Sequence, residues 1–201
     1  MTYLLRMDDP FSAKNRFDAA LGNRVAWWLT ARTLRDAATM VHDGIPDAER
    51  QRYRGFDMSG FTPLNSSAGI QNVFVFLAGL ALENLLKGEI VRMNPNAVSG
   101  GKLQQTIKSH YLIDLARSAG LVVGDGLTVD EVEILAIATE ACFSWGRYPG
   151  GSAHDKPGSI APPYTLDNQR FKQLFEALFD RLEASVMQGI DDTENGGRST
   201  S

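Results

Sequence analysis

The sequence predicts an all-α protein, an up-and-down bundle of about five helices. Apolar residues recur every three or four positions over long stretches, as one face of an α-helix requires. Clusters of Gly and Pro separate these stretches, and no alternating strand pattern competes with them. With 43% hydrophobic and 22% charged residues in a chain of 201, the composition is that of a globular domain, which excludes a disordered or collagen-like chain.

The first predicted helix runs from about Phe17 to Val41 and ends before Gly44-Ile45-Pro46. A polar connection from Asp47 to Pro63 follows it. This connection is long for a structureless loop, so we expect it to contain a short helix or a segment with a functional role.

The second predicted helix begins at Ser66 or Ser67 and continues to about Arg92. It contains the longest apolar run of the chain, Val73 to Leu82. A membrane span needs about 20 apolar residues, twice the length of this run. The pattern therefore favours a central helix that is buried on several sides.

The third helix is predicted from Ser109 or His110 to Ala119, where Gly120 suits a left-handed cap. The fourth begins at Thr128-Val-Asp-Glu131, a capping box in which the Thr hydroxyl and the Glu carboxylate each satisfy a backbone amide. It is expected to continue to Trp145.

A loop rich in Gly, Ser and Pro, from Gly150 to Pro163, precedes the last helix, predicted from about Leu166 to Met187. No apolar side chain follows Ile190. We therefore expect a single helical domain over residues 1–189 and a disordered tail over residues 190–201.

Charge and cysteine content limit the classes of function. The net charge of −4 argues against a protein that coats nucleic acid through bulk charge, although a local basic patch stays compatible with it. Cys142 is the single cysteine, which excludes an internal disulfide and any zinc site with two thiolates, and it is expected to be buried. We predict no metal site and no cofactor.

The expected cellular compartment is inferred from the absence of targeting signals in the sequence. The stretch from Met1 to Pro10 contains Arg6, Asp8 and Asp9, so it has no apolar core for a secretory signal. With no predicted membrane span and one thiol, the cytoplasm is the expected compartment.

Glu83 and Lys87 lie four residues apart at the end of the apolar run. One interpretation is a surface ion pair of small energy. The other is that a carboxylate on a helix buried nearly all round must find a partner, for which Lys87, His110 and Arg147 are candidates. Both interpretations are consistent with the sequence.

The three histidines have different settings. His42 belongs to the last turn of the first helix, where a positive charge suits the helix dipole, and is interpreted as structural. His110 opens the third helix, where its imidazole could cap backbone amides or contact the bundle next to it. His154 is predicted in the Gly-rich loop, where it is the more accessible.

Three short motifs together resemble a HEPN domain, a family of helical bundles named for nucleotide binding in higher eukaryotes and prokaryotes. The resemblance covers roughly residues 65–188. The motifs are Ala81-Leu-Glu83-Asn-Leu-Leu-Lys87 in the second helix, Lys108-Ser-His110-Tyr-Leu112-Ile-Asp114-Leu at the third, and Arg147-Tyr148-Pro149 after the fourth.

The resemblance implies a bundle that often dimerises. Many members are metal-independent ribonucleases of toxin–antitoxin, phage-defence or RNA-processing systems. Their signature is an Arg followed, after four to six residues, by a His. Arg147 and His154 fit it with six residues between them, which implies that His154 transfers a proton and Arg147 stabilises the charged phosphate.

Two features of this segment differ from the family pattern. Tyr148 follows the Arg where active members usually have a polar residue, and Pro149 with two glycines places His154 in a loop rather than a helix. The alternative is that Arg147 caps or pairs with a buried carboxylate such as Glu83, while His154 is an ordinary surface residue.

Two functional hypotheses follow. The first is a HEPN-like protein that binds nucleotide or RNA through Lys87, Lys108, His110 and Tyr148, with Arg147 and His154 as catalytic residues of a ribonuclease. A cognate partner or antitoxin and a second copy of the chain are its expected protein partners. The second hypothesis is a non-catalytic helical module that dimerises or docks a partner through aromatic residues such as Trp27, Trp28 and Tyr148.

Overall fold

The computed structural model describes residues 12–45, residues 66–143 apart from residue 125, and residues 168–188. These residues contain seven α-helices: α1 Ala13–Leu21, α2 Arg24–Asp43, α3 Ser66–Met93, α4 Gln105–Lys108, α5 Leu112–Ser118, α6 Val129–Phe143 and α7 Asn168–Met187. The predicted all-α helical class is confirmed. The predicted connection Asp47 to Pro63, the loop Gly150 to Pro163, the helix end at Trp145 and the tail over residues 190–201 lie outside the described residues.

Helix α3 is the centre of the bundle and packs against α2, α5, α6 and α7. From residue 81 to residue 91 every side chain except that of Asn84 is buried. The prediction of a buried central helix is therefore confirmed. Within the described part of the chain, no helix has both the length and the apolar content to cross a membrane.

Two glycines of α3 allow its neighbours to approach closely. A Cβ atom at Gly79 would lie 2.9 Å from the Cys142 sulfur of α6, and one at Gly88 would lie 3.3 Å from the Trp27 Cβ of α2. Side chains at these positions would hold both helices away from α3. Cys142 is buried in this contact, as predicted.

Helix α7 closes the core with the apolar stripe that the sequence predicts. Its members at three- and four-residue spacing are almost fully buried: Phe171, Phe175, Leu178, Leu182 and Val186. Phe171 and Phe175 contact the ring of Phe74 on α3 edge to face. The described part of this helix agrees with the predicted one.

The prediction of one continuous first helix was wrong. Gly22 ends α1, with its amide donating to the Asp18 carbonyl at 2.8 Å. Asn23 then starts α2, because its side-chain oxygen accepts from the Val25 amide at 2.9 Å. The apolar residues keep the same spacing across this break, so periodicity alone does not reveal it. At the other end of α2, His42 lies in the last turn, buried against Phe74, as its structural interpretation requires.

Four two-residue strands were not predicted: β1 Val98–Ser99, β2 Lys102–Leu103, β3 Val122–Val123 and β4 Gly126–Leu127. Strands β1 and β2 form an antiparallel hairpin around Gly100 and Gly101, whose φ angles are 66° and 74°. Such conformations favour glycine. Two residues are too few to show an alternating pattern, so these strands leave no signal in the sequence.

The third predicted helix begins later than expected. The backbones of Ser109 and Tyr111 are extended, and α5 starts only at Leu112. His110 and Tyr111 therefore lie on the segment that leads into the helix, between α4 and α5. The predicted end is confirmed, because Gly120 has a φ of 75°.

The fourth helix begins with the predicted capping box. The Thr128 amide donates to the Glu131 carboxylate at 2.7 Å, and the Glu131 amide donates to the Thr128 hydroxyl at 3.2 Å. This start fixes α6, whose buried face packs on α3 and α5.

Candidate functional site

Two charged residues lie inside the bundle on the central helix. The Lys87 ammonium donates to Glu83 Oε1 at 2.7 Å, and each side chain is only 7% exposed. The neighbours of α3 cover this turn of the helix, so the pair is a buried one. Of the two interpretations that the sequence allows, the structure shows the partnered, buried carboxylate.

His110 reaches the same carboxylate oxygen from another part of the chain. Its Nδ1 atom is 2.9 Å from Glu83 Oε1, and its side chain is 52% exposed. A carboxylate paired with an ammonium accepts hydrogen bonds and donates none, so Nδ1 carries a proton and donates it. In the neutral ring, this leaves Nε2 with a lone pair that can accept a proton or a hydrogen bond.

The second carboxylate oxygen of Glu83 has a different environment. Oε2 is buried and has no hydrogen-bond partner among the described residues. A buried carboxylate oxygen without a donor costs free energy. The carboxylate is thus held tightly on one side by Lys87 and His110 and retains acceptor capacity on the other.

Helix α2 covers the ammonium side of the pair. The Nζ atom of Lys87 lies 5.8 Å from the centroid of the Trp27 ring, within the range of a cation–π contact. The Trp27 indole N–H is itself held by the Leu21 carbonyl at 2.7 Å. Lys87 therefore balances the charge of Glu83 within the bundle rather than presenting a cation at the surface.

An aromatic group borders the site at the end of α6. The Tyr111 ring stacks on Phe143 at 4.6 Å with an interplanar angle of 27°, and the His110 ring meets Phe143 edge to face at 6.1 Å. Tyr111 is 57% exposed. Phe143 thus supports the two side chains that precede α5.

Thr139 fixes the position of this segment, and sequence reasoning missed it. Its hydroxyl accepts from the Leu112 amide at 3.1 Å and donates to the Leu135 carbonyl at 2.8 Å. The first turn of α5 is thereby tied to α6 immediately after His110 and Tyr111. A hydroxyl in an otherwise apolar stretch of helix is the one signal in the sequence that points to it.

The structure brings together three of the sequence-predicted residues, Glu83, Lys87 and His110. Lys108 is exposed at the end of α4, two residues before His110. The predicted catalytic residues Arg147 and His154 and the predicted binding residue Tyr148 lie outside the described residues. We define the His110 surface as Lys108, His110 and Tyr111, with the Glu83–Lys87 pair behind it.

The aromatic residues of the second hypothesis are partly engaged inside the protein. Trp27 and Trp28 are both half-buried. The Trp28 indole N–H donates to Glu183 at 2.6 Å, and that of Trp27 donates to the Leu21 carbonyl, so the polar atom of each ring has a partner. Among the residues that the structure describes, no group of three or more His, Cys, Asp or Glu is arranged to hold a metal ion.

The described residues define an all-α helical bundle with a buried Glu83–Lys87 pair that is bonded to the half-exposed His110. Comparisons of the chain with protein-family models, with curated proteins and with solved structures found no match.

Proposed function

We propose that the protein is a HEPN-like helical bundle that binds a nucleotide or RNA at the His110 surface. The observation that carries this proposal is the shared Glu83 oxygen, which holds an ammonium at 2.7 Å and the imidazole of a half-exposed histidine at 2.9 Å. A buried carboxylate that orients an accessible imidazole is the arrangement by which proteins position a histidine for hydrogen bonding or proton transfer.

The chemistry of RNA matches what this surface offers. A protonated His110 has an Nε2–H that can donate to a phosphate oxygen, and a neutral His110 has an Nε2 lone pair that can accept from a ribose hydroxyl. Lys108 adds an exposed cation two residues away. Lys87 contributes indirectly, because it fixes the carboxylate that fixes His110.

The resemblance extends the proposal to metal-independent RNA cleavage in a toxin–antitoxin or phage-defence system. In this reaction the 2′-oxygen attacks the adjacent phosphorus, so that a P–O2′ bond forms while the P–O5′ bond breaks. One imidazole takes the 2′-hydroxyl proton, and an acid returns a proton to the leaving 5′-oxygen. We assign the proton transfer to His154 and the stabilisation of the charged phosphate to Arg147. Tyr148 is assigned to binding of the ligand.

One experiment tests binding and cleavage together. Wild-type protein and the variants Arg147→Ala, His154→Ala and His110→Asn are incubated with end-labelled RNA in EDTA to measure cleavage. Binding is followed by fluorescence anisotropy at several salt concentrations, on the same RNA with methylated 2′-hydroxyls that cannot be cleaved. We expect cleavage by the wild type and none by Arg147→Ala or His154→Ala. We expect weaker RNA binding by His110→Asn.

Arg117→Gln is the matched control, because Arg117 is an exposed cation on α5 that is paired with Asp114 and is not one of the residues that define the His110 surface. It should bind and cleave as the wild type does. Failure of wild-type protein to bind RNA or any nucleotide would contradict the proposed function. Binding without cleavage would exclude the ribonuclease activity and support a protein that binds RNA without cleaving it.

The second candidate function is a non-catalytic module that dimerises or docks a cognate protein, and one observation favours it. Leu29 and Met40 are 54% and 76% exposed on α2. They are eleven residues apart, about three helical turns, and so share one face. Light scattering of wild type and a Leu29→Glu, Met40→Glu variant tests this face: loss of a dimer in the variant supports it, and a monomeric wild type contradicts dimerisation.

A further inference from the structure

We infer that Tyr111 is a stacking residue for one unpaired base of the ligand at the His110 surface. This inference rests on the proposed function and narrows its ligand to a nucleotide with an accessible base. A free nucleotide and a single-stranded RNA both supply that chemistry, whereas a duplex keeps its bases stacked on one another.

The Tyr111 side chain is exposed at the protein surface. Tyr111 is one of the large hydrophobic side chains that are exposed in the described part of the chain, at 57%. One of its faces is covered by the nearly parallel Phe143 ring at 4.6 Å. A ring that is backed by a second aromatic on one face and is more than half exposed has its other face available to a further planar group.

The backbone that carries the Tyr111 ring is held in place before a ligand arrives. The Tyr111 amide donates to the Ser109 hydroxyl at 3.1 Å, and the Tyr111 carbonyl accepts from the Leu115 amide at 3.0 Å. The next residue, Leu112, is tied to Thr139 of α6. A positioned ring loses little conformational freedom on binding, which favours affinity.

The neighbours of Tyr111 provide groups that suit a phosphate. The His110 and Tyr111 rings both meet the Phe143 ring, so a base on Tyr111 and its attached phosphate can reach the ring and the imidazole together. Lys108 adds an exposed cation three residues before Tyr111. A flat ring beside cationic donors fits a nucleotide better than it fits an apolar peptide. Base stacking on aromatic side chains, with a cationic path for the backbone, is how proteins bind single strands without reading sequence.

The test compares ligands that differ only in the availability of the base. Fluorescence anisotropy measures binding of a single-stranded RNA, the same strand in a duplex, and an abasic strand with the same phosphates, and calorimetry measures binding of adenosine monophosphate. The variants are Tyr111→Leu, which removes the aromatic face but retains apolar bulk, and Tyr111→Phe, which retains the ring.

We expect Tyr111→Leu to weaken binding of single-stranded RNA on the order of tenfold, the range of one base–aromatic stack. Tyr111→Phe should stay within about twofold of wild type if stacking supplies the affinity. Binding of the abasic strand should not change in either variant, and the salt dependence should be that of the wild type because no charge is removed. Weaker mononucleotide binding by Tyr111→Leu would place the free nucleotide in the same site, and unchanged mononucleotide binding would restrict the ligand to the strand.

Two results would contradict the stacking role of Tyr111 and leave the proposed function unaffected. One is a Tyr111→Leu variant that binds single-stranded RNA as tightly as the wild type while His110→Asn binds it more weakly. The other is a wild type that binds the duplex as tightly as the single strand. Absence of binding to every ligand would overturn the proposed function and the inference together. Thermal unfolding of each variant confirms that the fold is retained, as expected for an exposed side chain.

Discussion

Among single residues, Glu83 connects two distant parts of the chain. Its Oε1 atom receives Lys87 from one turn along the same helix and His110 from 27 residues away. One of the two interpretations that the sequence allows is a buried carboxylate on this helix that needs a partner. The sequence does not reveal that both donors share one oxygen, because that depends on where the segment before α5 crosses α3.

Replacing Lys87 by Met tests the buried pair, since it removes the ammonium and keeps the side-chain bulk. We expect the free energy of unfolding, measured in urea, to fall by about 3 kcal/mol, because the carboxylate is left buried without a countercharge. The Glu83→Gln, Lys87→Met double variant should recover most of this loss. Losses that simply add would show that the two charges do not interact.

A surface pair supplies the control for this measurement. Asp114 and Arg117 form an ion pair on α5 at 3.0 Å, with side chains 57% and 68% exposed. The Asp114→Asn variant should change the free energy of unfolding by less than about 0.5 kcal/mol, because solvent screens exposed pairs. A larger loss there would mean that burial is not what distinguishes the Glu83 pair.

Among the elements, α5 depends on α6 for its first turn. The Thr139 hydroxyl accepts from the Leu112 amide, and Tyr111, at the cap position, supplies no side-chain hydrogen bond. This dependence was not predictable from the capping rules, which concern residues next to the helix start in sequence. The acceptor is 27 residues further along the chain.

The Thr139→Val variant keeps the shape of the side chain and removes the acceptor. We expect it to lower the free energy of unfolding by about 1–3 kcal/mol, the cost of a buried amide without a partner. Hydrogen exchange at the Leu112 amide should be faster than in the wild type. Unchanged stability together with unchanged exchange would contradict the role of Thr139.

Thr33→Val is the matched control for this variant. Thr33 also donates to the carbonyl four residues earlier, that of Leu29, but it is exposed on α2, and within the described part of the chain it accepts from no other element. Its substitution should change the free energy of unfolding by no more than about 0.5 kcal/mol.

The capping box of α6 makes the stability depend on pH. Burial acts to raise the pKa of Glu131, but the hydrogen bonds from Thr128 and Arg181 outweigh it, so the pKa lies below its usual value. A lowered pKa stabilises the folded protein above the unfolded value of about 4.3, and this contribution is lost as the pH falls through the folded pKa.

The Glu131→Gln variant isolates this contribution. It should be less stable than the wild type near neutral pH, and the difference should shrink as the pH falls below about 4.3. Urea denaturation of both proteins over this pH range measures it. A stability difference that stays constant down to the lowest pH would contradict the assignment to the carboxylate charge.

For the whole molecule, long apolar periods were sufficient to predict the helical class and the buried central helix, and the capping box was sufficient to predict the start of α6. The break at Gly22 and Asn23 escaped prediction because the apolar face continues across it, and the hairpin at Gly100 escaped because its strands are two residues long. The residues of the candidate site could be named from the sequence: Glu83, Lys87 and His110. Their arrangement required the packing of α3 against the segment before α5.

Binding of RNA at the His110 surface is tested most directly by a map of where RNA contacts the protein in solution. Amide chemical shifts of ¹⁵N-labelled protein are followed during titration with a short single-stranded RNA whose 2′-hydroxyls are methylated to prevent cleavage. We expect saturable changes at residues 108–112 and at Phe143, with none along the face of Leu29 and Met40. No saturable change, or changes confined to that face of α2, would contradict it.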